Sequence, residues 1–307
     1  MSGFPFPRRL VSLGSILVDL ALEVPHLPSR GGDVLARPGS MTAGGGFNVL
    51  SAAVRLGLAG VYAGPHGTGP YGDRVRAALA AEGLEIAQRA DPDLDTGYCV
   101  VLLEPDGERT FVTVTGADAR VDPRALRGLV HRAGDAVYVS GYDLAYPDAG
   151  DAVAEHAGQL PDTLLQVFDP GPLAGEIPPE RLAPVLGRAG LVSLNAREAD
   201  LLGGAPGVLQ RCGPAAALII RSGASGATIH RAGAAPVAVP AVATRAVDST
   251  GAGDVHVGAT LAGLARGLSL AESVLLANRA AAYAVSRAGP STGPTTAQLE
   301  EFGAGRW

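Results

Sequence analysis

No lysine occurs in this 307-residue sequence; all 24 of its basic residues are arginine. That absence removes several chemistries at once. A P-loop needs a Lys on the nucleotide phosphates, protein kinases need a strand Lys, and Schiff-base catalysis, pyridoxal phosphate included, needs a Lys amine. If such a chain handles nucleotides, it must hold phosphate with backbone N–H groups, arginine or metal. Cysteine is nearly absent too. Cys99 and Cys212 each lie inside an apolar stretch, which leaves no disulfide framework and no paired-cysteine metal spacing. Aromatics are scarce at 5%. No apolar run reaches the length of a membrane span, and Asp19 interrupts the one candidate for a signal-peptide core. A net charge of −6 offers no basic footprint for nucleic acid and no reason to expect a membrane surface. The expectation is a soluble cytoplasmic protein with no nucleic-acid or membrane partner.

What is present is apolar. Hydrophobic residues make up 47% of the chain, so the 43 glycines and 23 prolines read as turns and close backbone approaches around a sizeable core. From residue 123 onward, short β-branched runs at 136–140, 164–168, 191–194 and 218–221 alternate with helical stretches. This rhythm predicts a mostly parallel sheet with right-handed crossovers and helices on both faces, an α/β fold. Residues 227–239 read as a hairpin, and 254–267 and 270–287 as long helices. Earlier, 10–24 reads as one strand that leaves the core and turns polar, 48–56 and 73–82 as helices, and 60–64 as a short strand. Strand-like runs within about 15–24, 33–42, 96–103 and 109–115 suit a small sheet exposed on one face. They are expected to form a lid over the carboxyl ends of the parallel strands, where open α/β sheets bind ligands. Lid and core elements interleave, so 1–307 reads as a single domain.

Four clusters carry candidate chemistry. In Asp248-Ser249-Thr250-Gly251-Ala252-Gly253-Asp254, the glycines allow a tight turn that points successive N–H groups inward, and a helix begins beside them. Such a turn suits a migrating phosphoryl group, with Asp254 placed as a base, though a capped helix after a Gly-rich turn has the same pattern. Asn195 and Glu198 follow an apolar strand; the pair reads equally as a water-mediated Mg²⁺ site or as a helix capping box. Asp19 ends an apolar run, and Gly44-Gly45-Gly46-Phe47-Asn48 makes a bare turn before a helix; Asp19 and Asn48 are the right groups for sugar hydroxyls, and also for a strand end and an N-cap. A further pattern, Gly67-Thr68-Gly69-Pro70-Tyr71-Gly72 with Asp91 and Asp93 downstream, matches the dinucleotide fingerprint. Pro70 inside the loop and the hairpin reading of 96–115 argue against NAD.

These pieces, in this order, resemble the ribokinase-like (PfkB-type) carbohydrate kinase family over nearly the whole chain, from Gly14 to about Thr295. The resemblance implies a ribokinase-like fold and ATP-dependent phosphorylation of a small-sugar hydroxyl, with a nucleoside kinase or a non-catalytic nucleotide- or sugar-binding regulator as alternatives. It implies Asp254 as catalytic base, and Gly251, Ala252 and Gly253 as an anion hole. Asp19, Gly44, Gly45 and Asn48 match sugar contacts; Asn195 and Glu198 match the residues that organise Mg²⁺ and phosphate. Arg221, Gly223, Gly226 and Asn278 match the nucleotide side. Asp248 and Thr250 match part of a monovalent-cation (K⁺) site. His256 departs from the usual aromatic, Gly45 from the ribokinase Lys, and Gly69 from a common Asp. Arg109, Asp118 and Tyr142 are candidates for specificity, and the exposed lid strands invite a homodimer.

Overall fold

The computed structural model describes residues 6–304; residues 1–5 and 305–307, which include the start of the segment compared with a signal peptide and both ends of the 1–307 span, lie outside the described residues. Among the described residues thirteen strands form two sheets. In chain order they are β1 Arg9–Ser12, β2 Val18–Glu23, β3 Arg37–Ala43, β4 Ala59–Tyr62, β5 Glu85–Ile86, β6 Tyr98–Leu103 and β7 Arg109–Val114. There follow β8 Asp135–Ser140, β9 Leu165–Asp169, β10 Leu191–Asn195, β11 Ala217–Arg221, β12 Ala227–Arg231 and β13 Val237–Val239. The large sheet has nine strands in the order β13-β12-β11-β10-β9-β8-β1-β4-β5; the small one has four, β3-β2-β6-β7. All pairings from β5 to β11 are parallel, and β12 and β13 add an antiparallel edge. In the lid β2 pairs antiparallel with β3 and parallel with β6, which closes the hairpin with β7.

The parallel strands read as unbroken apolar runs because both faces are covered; β8 is buried at every position. Alternate residues feed two cores. Leu10, Tyr62 and Ile219 point to one face, under the helices Gly46–Arg55, Ala252–Ala265 and Leu270–Val285. Val11, Val137, Phe168 and Leu194 point to the other, under Gly150–Gly158 and Pro179–Arg188. The helix Ala252–Ala265 is buried from Val255 through Leu264, so it is apolar on every side. Its small residues permit this: a Cβ on Gly258 would meet the Val49 carbonyl and Ala52, so only glycine lets the two helices cross this closely. Each Leu or Val that it buries contributes about 2 kcal/mol, anchoring the turn at its N-terminus to the core.

The expected architecture is therefore present, with one correction. Residues 10–24 are not one strand. β1 belongs to the large sheet and β2 to the lid, and the Gly14-Ser15 break between them carries the chain from one to the other. Three helices also start earlier than expected, at Gly46, Pro70 and Ala252, because the glycines before them accept positive φ (60° at Gly45, 105° at Gly69, 70° at Gly251). Among the described residues no helix is long and apolar enough to cross a membrane.

Candidate active site

The carboxyl ends of β8, β9, β10 and β11 open under the lid into a cleft of about 390 Å³. Asp254 stands in its wall, in the first turn of the helix Ala252–Ala265. Its Oδ2 accepts a hydrogen bond from Asn48 Nδ2 at 3.0 Å, and Asn48 Oδ1 accepts one from the Ser291 hydroxyl at 2.6 Å. Burial pushes the Asp254 carboxyl up to about 7; the Asn48 bond pulls it down, the Asp169 charge pushes it up and Arg221 pulls it down. Gly251 must be left-handed here, and a Cβ would come to 3.1 Å from Asn48 Nδ2. Of the three amides expected in the anion hole, that of Ala252 donates to the Ser249 carbonyl at 3.2 Å and closes the turn. The N–H groups of Gly251 and Gly253 have no acceptor among the described residues.

Arg221, at the end of β11, braces this turn from behind. It donates to Asp169 Oδ2 at 2.8 Å, to the Gly253 carbonyl at 3.1 Å and to Glu198 Oε2 at 3.4 Å. Burial opposes its charge, but Asp169, Glu198 and Asp254 hold its pKa above the ordinary value. Asn195 and Glu198 form a full capping box: Glu198 N donates to Asn195 Oδ1 at 2.9 Å, and the two Glu198 oxygens accept from Asn195 N and Nδ2, each at 2.7 Å. The capping alternative is thus realised, and both residues still line the cleft. Burial and the nearby Asp169 raise the Glu198 carboxyl. Among the described residues no group of three or more His, Cys, Asp or Glu is placed to hold a metal directly.

A second cavity, about 630 Å³ and mostly apolar, lies beyond Gly253 and is lined by Gly223, Gly226, His256 and Asn278. The two cavities share Asn195, Arg221, Ser249 and Gly253, so they meet at the Gly-rich turn. Asn278 is fully engaged: its Nδ2 donates to the Val239 and Pro240 carbonyls, and its Oδ1 sits 3.1 Å from His256 Nε2. Burial lowers His256 to about 3, so it is a neutral ring that packs and donates in place of an aromatic.

On the lid side, Asp19 sits at the start of β2 with its carboxyl raised to about 6 by burial. Gly44 is the residue that fits beside it, since a Cβ there would overlap the Asp19 carboxylate. Asp19 and Gly45 line the cleft. Asn48, expected against sugar hydroxyls, lines the cleft as well and bonds Asp254 and Ser291. Asp248 accepts from Thr250 N, Gly289 N and Arg109, so Arg109 is drawn away from the specificity role expected of it. Asp118 is buried and holds the Gly97 and Gly116 amides, outside the cleft, whereas Tyr142 lines it. Phe47 is a core residue. Missing from the sequence reading were Asp169, Tyr138 and Tyr146, all lining the cleft. Asp169 had a usable signal, an acid directly after an apolar strand; the tyrosines had none.

Comparison with known proteins accords with this geometry. The family model described as "pfkB family carbohydrate kinase" matches residues 7–297. The chain is 36% identical over 301 residues to the uncharacterized sugar kinase YegV of Escherichia coli (strain K12), covering 95% of this chain and 93% of that protein. It superposes on Methanocaldococcus jannaschii nucleoside kinase with a TM-score of 0.80 at 18% identity, covering 97% of this chain and 99% of that one. It superposes on Salmonella enterica aminoimidazole riboside kinase, solved with aminoimidazole riboside and an ATP analog, with a TM-score of 0.76 at 26% identity, over 96% and 99% of the two chains. The fold is ribokinase-like, and the chain belongs to the pfkB family of carbohydrate kinases.

Proposed function

We propose that this kinase transfers the γ-phosphoryl group of ATP to a hydroxyl of a small, uncharged sugar, with Asp254 as general base. One observation carries the reading: two cavities meet at a turn with two free amides, and a buried carboxyl stands beside them. The mostly apolar cavity suits a nucleobase and the lid-covered one a polyol, so the phosphates would cross at Gly251 and Gly253. With its carboxyl near 7, Asp254 is a better proton acceptor than an ordinary aspartate while still largely ionised at pH 7.5. Phosphoryl transfer is loose, so the acceptor proton moves late and a base of this strength suffices. The amides of Gly251 and Gly253 would meet the charge of the transferring group, and the lid would exclude water as a competing acceptor.

The metal-ligating atoms of the Asn195, Glu198 and Asp169 side chains are all oxygens, each already accepting from a protein donor. Such a set fits Mg²⁺ kept through its water shell. When bound, the ion supplies positive charge to the nucleotide phosphates.

The cleft favours a neutral acceptor. Asp19, Asp169, Glu198 and Asp254 line it, and Arg221, the one cation lining it among the described residues, is already paired. A sugar acid would add a carboxylate to this field without a free partner. A nucleoside acceptor is the second reading, favoured by Phe111 and Tyr142, partly exposed aromatics in the cleft wall that could flank a base. An ATP-consumption screen with ribose, fructose, 2-keto-3-deoxygluconate and nucleosides tests both: turnover is expected with a neutral sugar and not with the acid. Absence of turnover with every acceptor would favour a non-catalytic binding protein. A homodimer through the lid belongs to the same proposal, since β3 and β7 are edge strands and Val112 and Val114 are exposed; sedimentation velocity should show a dimer.

A further inference from the structure

The family resemblance puts a monovalent cation against Asp248 and Thr250, and the physical need for positive charge there is plain. The C-terminal end of the helix Leu270–Val285, with its negative dipole, meets the backbone beside this acid, since Val247 N and Asp248 N both donate to the Val285 carbonyl. The structure supplies that charge from within the chain. Asp248 Oδ1 accepts from Thr250 N at 2.7 Å and from an Arg109 guanidinium nitrogen at 2.5 Å, and its Oδ2 accepts from Gly289 N at 2.9 Å. The ion pair is largely withdrawn from water, its side chains 14% and 9% exposed. Arg287, another cation near this helix end, is turned onto the Tyr283 ring and carbonyl. Burial pushes the Asp248 carboxyl up, but the Thr250 and Gly289 amides, the Thr250 hydroxyl and Arg109 outweigh it and leave the acid below its ordinary range. A metal cation on this carboxylate would press against a guanidinium at contact distance, so the residues present do not fit K⁺.

Arg109 comes from β7 of the lid, 139 residues from its partner, so the same ion pair fastens the lid to the first residue of the Gly-rich turn. We propose that Arg109 is a built-in counter-cation: a positioning residue that takes the place of a monovalent cation at Asp248 and makes the shape of the turn depend on the lid instead of on K⁺. The proposal rests on reading residues 248–254 as the phosphate-holding turn. Three arms test it. In crystals soaked with RbCl, anomalous scattering should show no Rb⁺ at Asp248 in the unmodified protein and a peak there in Arg109→Met, which keeps the bulk and removes the charge. At constant ionic strength, replacing tetramethylammonium by K⁺ should leave the melting temperature of the unmodified protein unchanged and raise that of Arg109→Met. With any acceptor found in the screen, turnover of the unmodified protein should agree within about twofold between the two salts. Arg109→Met should then lose roughly tenfold or more in tetramethylammonium and recover in K⁺, while Arg109→Lys stays insensitive. Rb⁺ at Asp248 in the unmodified protein, or melting or turnover that responds to K⁺, would overturn the proposal; so would an Arg109→Met protein that neither binds Rb⁺ nor is rescued. The first two arms need no sugar, and the unmodified protein decides them even if the variant fails to fold, so they stand apart from the fate of the kinase reading.

Discussion

In two of the glycine-rich turns that open a helix in this chain, the amides meet opposite fates. At residues 67–72, leading into Pro70–Ala81, the first helical amides are spent: Tyr71 N and Gly72 N donate to the two oxygens of Asp95 at 3.1 and 2.7 Å. Asp91, where the dinucleotide fingerprint wants a ribose ligand, instead accepts from the Asp93 and Leu94 amides. At residues 251–254 the amides of Gly251 and Gly253 stay free, and the adjacent acid is turned toward Asn48. Glycines grant the backbone shape in both places. Whether an anion can enter is decided by where a single carboxylate points, and that carboxylate belongs to a different stretch of chain in the first turn and to the helix itself in the second.

The comparison breaks most visibly if Asp254 is not the base. Asp254→Asn should keep the fold, since the amide oxygen can still accept from Asn48, and should lose about 10²–10⁴-fold in kcat, the usual share of a positioned base. A melting curve and a turnover assay check both halves. The pH profile adds the sign. Burial raises this carboxyl to about 7 and the ionised form is the active one, so kcat/KM should fall as pH drops through about 7, and this limb should vanish in the variant. Near-normal turnover in Asp254→Asn would dismiss the assignment.

A smaller effect tests the partner that turns the acid. Asn48 lowers the Asp254 carboxyl by donating to it. Asn48→Ala should therefore raise that carboxyl and move the acid limb upward, by about one pH unit for a hydrogen bond to a charged group. Activity at pH 7 should fall roughly fivefold and largely return at pH 8.5. A limb that stays in place with uniformly lower kcat would mean that Asn48 only packs.

Much of this was legible in the sequence, for identifiable reasons. The parallel strands show because burial on both faces demands unbroken β-branched runs, and the turn at 251–253 shows because few residues other than glycine reach its backbone shape. The strand break at Gly14-Ser15 did not show: both flanks are apolar, and no periodicity says that one belongs to the core sheet and the other to the lid. The site's wiring was hidden for a different reason. Asn48 meets Asp254 across 206 positions, Arg109 meets Asp248 across 139, and Arg221 meets Asp169 across 52. Each residue has an ordinary local reading, as an N-cap, a strand cation or a strand-end acid, and only the sheet order brings the partners together. Asn195 and Glu198 fall between these cases: their spacing allowed two roles, and the capping geometry now coexists with a place on the cleft.

The smallest expected effect is the one that bears on the plugged turn. Asp95 accepts from Tyr71, Gly72 and Thr96 amides, and so stands where an anion would otherwise sit. Asp95→Ala should cost about 1 kcal/mol of stability, as the loss of a helix cap does, and leave kcat and its pH limb unchanged because neither Asp95 nor the turn lines the cleft that holds Asp254. The same change frees the amides, so inorganic phosphate should raise the melting temperature of Asp95→Ala by more than that of the unmodified protein. An equal phosphate response in both proteins would show that glycine geometry with free amides is not enough to make an anion site here. The free amides at 251–253 would then need the Arg221 brace behind them, and not merely their freedom, to explain why that turn is the one suited to phosphate.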